Sequence, residues 1–199
     1  MNSAGKRPSG QHHGDLRRVL EEAALELVGE GGPKAATLAE VSRRAGVSVA
    51  APYKHFADRD ALLAALVQKG YSEQRERYVA AMEGARDPVA KLAAFARAYV
   101  RFAAERRAMF ELTFSAGLDK AAYPELLAAG NELFGVLQEP ARKARPTEAA
   151  SRELVLSVAA AAHGFAVFVL EGVLAEVDEA EKLAESAARS IVQPARSTP

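Results

Sequence analysis

Along this chain apolar residues recur every three or four positions and never alternate over the length of a strand. Glycine and proline fall mostly between the periodic stretches. That spacing puts one stripe of side chains on a helix face, so the reading is helix throughout. Leu16, Leu20, Ala23, Leu27 and Val28 form a first stripe, with Asp15 as its cap and Gly29, Gly31, Gly32 and Pro33 closing it. Leu38, Val41 and Ala45 form a short second one. Asp58 is expected to cap a helix that turns Leu62, Leu63, Leu66 and Val67 inward and runs through Tyr71 and Tyr78 to about Gly84. Asp87-Pro88 is a capped start with proline at the first helical position. Leu92, Phe95, Tyr99 and Phe102 then follow at spacings of three, four and three. Met109, Phe110 and Phe114 mark a short helix ending near Gly117, and Tyr123-Pro124 opens another carrying Leu126, Leu127, Leu133, Phe134 and Leu137. Pro140 and Pro146 are expected to bracket a basic connection.

The stretch from about Thr147 to Leu174 differs from the rest because it carries two apolar stripes. Leu154, Val158, Ala161, Phe165, Phe168 and Gly172 make one; Leu156, Ala160, His163, Val167, Leu170 and Leu174 make the other. A helix on the outside of a monomer needs one apolar face. The second face implies a partner subunit, and which stripe meets it stays open. Asp178 is expected to cap a last amphipathic helix through Leu183, Ala187 and Ile191.

Composition narrows the class. At 199 residues, 49% hydrophobic and 26% charged, the chain has the profile of a soluble globular protein. Without cysteine there is no disulfide framework and no thiolate metal site, which fits a cytoplasmic protein. The first residues lack the apolar core of a secretory signal. Leu154 to Leu170 runs 17 residues without Asp, Glu, Lys or Arg, yet holds Ser157, His163 and Gly164 and much alanine. A helix buried in a bundle accounts for it better than a membrane span.

Residues 37–56, TLAEVSRRAGVSVAAPYKHF, carry the functional signal. Thr37 and Glu40 have the spacing of a reciprocal capping box. Gly46 supplies the stop, Val47 the corner, and Ser48 is placed to cap a following helix. Two short helices joined by such a turn form a helix-turn-helix. The formal net charge is zero, but from residue 34 to 59 Lys34, Arg43, Arg44, Lys54 and Arg59 stand against Glu40 and Asp58 alone. Local positive charge on a small face suits phosphate contact.

This segment resembles the N-terminal DNA-binding domain of TetR-family transcriptional repressors. The likeness begins at HHGDLRRVLEEAALELVGEGG (residues 12–32), continues through Tyr53-Lys54-His55-Phe56, which matches the family's Tyr-x-His-Phe signature, and ends in DRDALLAAL (58–66). About fifty residues match in order and spacing. His163-Gly164 is similar to part of the Trp-His-Gly motif of one subgroup, although the chain has no tryptophan. The resemblance implies an all-α fold: a flexible arm over 1–11, a three-helix helix-turn-helix domain over 12–58, and a helical effector-binding and dimerisation domain over 59–199. It implies a homodimer on a pseudo-palindromic double-stranded DNA operator, with the last two helices of each subunit in the interface. Leu156, Ala160, Val167, Leu170, Leu174 and Leu183 are the candidates there.

In that geometry the helix opening at Ser48 enters the major groove with Val49, Ala50 and Ala51 toward the bases. Side chains of this kind read only by apolar contact, for instance with thymine methyls. Lys54 can bond guanine or phosphate, Tyr53 and His55 would touch phosphates, and Thr37 at its helix terminus would hold another. Arg43, Arg44 and Arg59 are further phosphate candidates, and Lys6 and Arg7 are candidates for the minor groove. Phe95, Tyr99, Phe102, Phe110, Phe114, Phe134, His163 and Phe165 supply surface for a small apolar or aromatic effector.

Two other readings compete. A helix-turn-helix can serve protein contact alone, though clustered positive charge argues against it. A small helical enzyme is the other, but no HExxH, GxSxG or phosphate loop occurs, and the four histidines are scattered. No catalytic residue, cofactor or metal site is assigned.

Overall fold

The computed structural model describes residues 11–119 and 121–193, with side chains from Leu16 onward. The arm with Lys6 and Arg7 lies outside the described residues, and Gln11 already belongs to the first helix. Among the described residues there are nine α-helices and no strand: α1 (Gln11–Gly31), α2 (Leu38–Arg44), α3 (Arg59–Glu83), α4 (Pro88–Glu105), α5 (Arg107–Ser115), α6 (Pro124–Gly135), α7 (Gln138–Ala144), α8 (Glu148–Leu170) and α9 (Val177–Val192). Short 3-10 turns occupy Pro33–Ala35 and Pro52–Lys54. The chain separates into two compact units between Leu66 and Val67, within α3.

The first unit closes on Leu20, Ala24, Leu27, Val28, Val41, Phe56, Leu62, Leu63 and Leu66, all buried. The guanidinium of Arg17 lies 5.0 Å from the centre of the Phe56 ring. Asp58 Oδ1 accepts from the Ala61 N–H at 2.8 Å and so caps α3. Asp15 is not a cap, because α1 has already begun at Gln11.

The second unit is a bundle in which α4, α8 and α9 pack on one another. Asp87 caps α4 through the Ala90 N–H at 2.9 Å, and Leu92, Phe95, Tyr99 and Phe102 are buried as their spacing predicts. What lets the three helices meet is alanine. Ala93, Ala96 and Ala103 on α4, Ala162 and Ala166 on α8, and Ala180, Ala184 and Ala188 on α9 are wholly buried. Small residues at facing positions let helix axes approach closely. The inward line of α8 is therefore Ser151, Leu154, Val155, Val158, Ala162 and Ala166. Ala161 and Phe165 are only half-buried and Phe168 is 46% exposed. Hydrophobicity alone favours the larger residues; close approach selects the smaller.

Other expectations change for local reasons. Residues 138–144 form α7 rather than a connection, since Pro140 falls in its first turn, where a missing N–H costs no intrahelical bond. Helix α8 stops at Leu170. Gly172 takes φ 72°, its N–H donates to the Val169 carbonyl, and the Val173 N–H donates to the Phe168 carbonyl at 2.8 Å. That is a Schellman closure, so Gly172 ends the helix instead of joining a stripe, and Leu174 lies beyond it. Asp178 does not cap α9; Glu176 holds that position. Asp178 instead accepts from Arg101 at 2.8 Å, beside the buried Glu181, which also binds Arg101 and accepts from Arg97 at 3.4 Å.

Enlarging an alanine in this seam should force the helices apart. Ala184→Leu is expected to destabilise the fold by about 1–3 kcal/mol, read as a lowered midpoint in thermal or urea unfolding; an unchanged midpoint would show that α9 is not held at close range.

Candidate nucleic-acid interface and apolar cavity

In the first unit, Thr37 Oγ1 accepts from the Glu40 N–H at 3.2 Å and starts α2. The box is not reciprocal: the Thr37 N–H donates to the Ala35 carbonyl at 2.9 Å, while the Glu40 carboxylate is taken by Arg43. That hydrogen bond holds the Glu40 carboxyl below its usual range. Gly46, at φ 67°, ends α2, with its N–H on the Arg43 carbonyl and the Val47 N–H on the Ser42 carbonyl at 3.0 Å. This is the same closure as at Gly172, and it reverses the chain between α2 and the segment that follows.

That segment is not an α-helix from Ser48. Proline at position 52 has no N–H to give the Ser48 carbonyl, which the Ala51 N–H takes instead at 2.9 Å. The chain makes one tight turn and then the 3-10 turn Pro52–Lys54, held by the His55 and Phe56 N–H groups on the Pro52 carbonyl. Ala51 is only 8% exposed and Pro52 is buried, so Ala51 faces the core rather than outward. Val49 is 62% and Tyr53 60% exposed, and Ser48, Ala50 and Lys54 are exposed with them. His55 is half-buried, its ring 6.4 Å from that of Phe56.

The arginines are mostly engaged within the unit. Arg44 donates to Glu30 at 2.8 and 2.7 Å and to Glu26 at 3.2 Å, so it ties α2 to α1. The Arg44 hydrogen bond in turn holds the Glu30 carboxyl below its usual range. Arg59 donates to the Pro33 carbonyl at 2.7 Å and to Asp60 at 2.8 Å. Arg43 pairs with Glu40 on the helix surface, a contact weak enough to be exchanged. Between residues 34 and 59, Lys34 and Lys54 are the exposed cations with no ion pair among the described residues. Sequence spacing counts charges; it does not show which are already matched by Glu26 and Glu30 one helix away.

In the second unit two hollows meet at a shared wall of Tyr99, Phe114, Asn131 and Phe134. The inner one, about 310 Å³, adds Tyr71, Gln74, Thr113, Leu126, Leu127, Gly130 and Leu133. The outer one, about 480 Å³, adds Gln138, Arg152, Leu156, Ala160 and His163. Of the expected aromatic lining, Tyr99, Phe114, Phe134 and His163 are in place. Phe95 and Phe102 are fully buried in the core, Phe110 is 2% exposed behind Phe114, and Phe165 packs toward Phe168. Their apolarity was legible, but core and cavity draw on the same residue types. Gln74, a polar residue on α3, carried no signal in the sequence.

The Tyr99 hydroxyl lies 3.0 Å from His163 Nδ1, and the His163 ring is 4.7 Å from that of Phe114. Burial, with the neighbouring Tyr71 hydroxyl, pushes the Tyr99 phenol up, so it stays protonated. Burial pushes the His163 imidazole below its ordinary 6.5. Between a neutral phenol and a neutral imidazole this contact serves either tautomer of His163.

Toward the outside, Leu156 is 60% exposed, and Ala160, Phe168, Val173 and Leu183 are exposed with it; Val167, Leu170 and Leu174 are half-buried. Helix α8 is long and apolar enough to cross a membrane by length and composition, and 28% of its most apolar stretch is buried within the chain.

Residues 20–66 match the family described as bacterial regulatory proteins of the tetR family, and residues 92–191 match the tetracyclin repressor-like C-terminal domain. The HTH-type transcriptional regulator BetI of Rhizobium meliloti (strain 1021) is 30% identical over 175 residues, covering 88% of this chain and 73% of that protein. A solved protein of unknown function from Rhodococcus sp. RHA1 is similar at TM-score 0.77 and 33% identity, over 92% of this chain and 97% of that one. A TetR family transcription regulator from Marinobacter aquaeolei VT8 shares the fold at TM-score 0.73 and 18% identity, over 91% of this chain and 97% of that one.

A depressed His163 sets the sign of a pH effect. Below 6.5 the unfolded chain takes up a proton that the folded one resists, so stability falls as pH drops from that value toward the lower folded one. His163→Gln is expected to flatten this slope in unfolding midpoints measured from pH 7.5 to 5; an identical slope in the variant would assign the effect to other groups.

Proposed function

Because this chain belongs to the TetR family of transcriptional regulators, we propose that it binds a pseudo-palindromic DNA operator as a homodimer, in the cytoplasm, and represses the adjacent gene until a small apolar effector releases it. The observation that carries this reading is the exposed edge Ser48, Val49, Ala50, Tyr53 and Lys54, set off from α2 by the Gly46 closure. On the major groove, Val49 and Ala50 would offer apolar contact to thymine methyls while Lys54 reaches guanine or phosphate. Thr37 at the start of α2, Tyr53 and His55 would position the unit on phosphates, with Lys34 and an exchanged Arg43 adding charge. Arg44 and Arg59 serve that face indirectly, by holding α1, α2 and the start of α3 in place.

The homodimer reading rests on the outer face of α8 and α9. Leu156, Ala160, Phe168 and Leu183 form an apolar surface of the kind that marks protein contact. A second copy covers it without exposing the charged ends of α8 to lipid, so an interface is favoured over a membrane. Two reading edges related by a two-fold axis call for half-sites about one DNA turn apart, or a multiple of it. An effector in the cavity releases DNA only if it prefers the conformer that does not bind. No catalytic step enters this account.

Genomic footprinting with the purified protein tests the reading directly and yields the operator. On that operator, Lys54→Ala is expected to weaken binding and to reduce the steepness of log affinity against log salt by about 1 for each subunit. Unchanged affinity and slope in mobility shifts would remove Lys54 from the interface. Phe168→Glu should give a monomer in sedimentation equilibrium and lose the operator; a dimer that persists would put the interface elsewhere.

A further inference from the structure

We infer that the effector is an uncharged, largely apolar molecule bearing a carbonyl oxygen, and that Gln74 on the inner wall of the cavity donates to that oxygen. This rests on reading the cavity as the effector site. Gln74 is 1% exposed and lines the 310 Å³ hollow. Its Oε1 accepts from the Tyr78 hydroxyl at 3.2 Å, while its Nε2 is buried with no hydrogen-bond partner in the protein. Reversing the amide worsens the balance, because the Tyr78 hydroxyl proton would then lose its acceptor inside a fully buried aromatic cluster. The orientation that satisfies Tyr78 therefore leaves an amide donor in need of an acceptor. Buried donors in folded proteins are nearly always paired.

The other buried polar groups of the inner hollow are already committed. The Thr113 hydroxyl donates to the Phe110 carbonyl at 2.7 Å, the Tyr99 hydroxyl is held by His163, and the Tyr71 hydroxyl points to the Thr113 carbonyl at 3.5 Å. Asn131 is exposed at the rim. No Asp, Glu, Lys or Arg lines the inner hollow. A carboxylate or ammonium seated against Gln74 would leave water in part and meet no counter-ion in the inner hollow, since Arg152 lines only the outer one, which disfavours it. The ring faces of Tyr71, Tyr99, Phe114 and Phe134 and the side chains of Leu126, Leu127 and Leu133 suit a flat or elongated apolar body, and the volume lies at the lower end of small-molecule sites, roughly 300–1,000 Å³. One free buried donor, no charged side chain and apolar walls suit a ketone, ester, amide or similar neutral carbonyl compound.

Three matched probes separate the alternatives by isothermal titration of the full-length protein at pH 7.5: 2-acetylnaphthalene, 2-ethylnaphthalene and 2-naphthoate. The acetyl compound is expected to bind about tenfold more tightly than the ethyl compound, the value of one satisfied buried donor, and 2-naphthoate is expected to bind most weakly. Gln74→Met removes the donor, and the Tyr78 acceptor with it, while keeping an unbranched chain, and should bring the acetyl and ethyl affinities within about twofold with the ethyl affinity unchanged. Equal binding of acetyl and ethyl probes to the native protein, preferred binding of the carboxylate, or a preference that survives Gln74→Met would each overturn the inference while leaving the cavity as an effector site. Failure of all three probes to bind would overturn the effector-site reading, and this inference with it. Should Gln74→Met not fold, the comparison on the native protein decides alone.

Discussion

The second unit is organised by the narrowness of the seam between α4, α8 and α9, where wholly buried alanines occupy the facing positions. Where the seam takes only small side chains, at Ala162 and Ala166 of α8, it leaves larger ones no place. On α8 the alanines point inward at 162 and 166, and Leu156 and Phe168 lie on the outside. Dispersion between closely packed surfaces stabilises the bundle, but the same packing displaces apolar area onto the surface. The exposed apolar face of α8, and the opening of the outer hollow beside Leu156 and Ala160, both follow from that one geometric choice.

Much of the first unit was legible because its punctuation is local. Thr37, Gly46 and Asp58 act within four residues of themselves, and each does what its residue type and position predict. Legibility failed where one residue had two plausible local roles. Pro52 lies close enough to Ser48 to read as a tolerated first-turn proline, but it falls where the Ser48 carbonyl first needs a donor. Ala51 turned inward with it. Arg44 failed for a different reason: its partners Glu26 and Glu30 are more than a dozen residues away, and pairing across helices leaves no trace in spacing.

In the second unit the buried positions of α4 were readable from period alone, whereas the inward line of α8 was not. The step from Val158 to Ala161 or to Ala162 is equally helical; only the thickness of the neighbouring helices decides. The cavity had a similar fate. Aromatic residues marked the region, yet Phe95 and Phe102 fill core while Phe114 and Phe134 face open space, and no property of phenylalanine distinguishes them. Gln74 is conspicuous only once its surroundings are known, because a glutamine on a helix usually signals solvent.

Pro52 also bears on how the edge beside it meets a partner. Its ring fixes one torsion, and its carbonyl receives two backbone donors, from His55 and Phe56. A segment confined in this way has little backbone motion left to surrender, so on docking the loss of freedom would fall on exposed side chains such as Val49, Tyr53 and Lys54. Recognition by such an edge would be a comparison of rigid shapes, quick to make and intolerant of misfit.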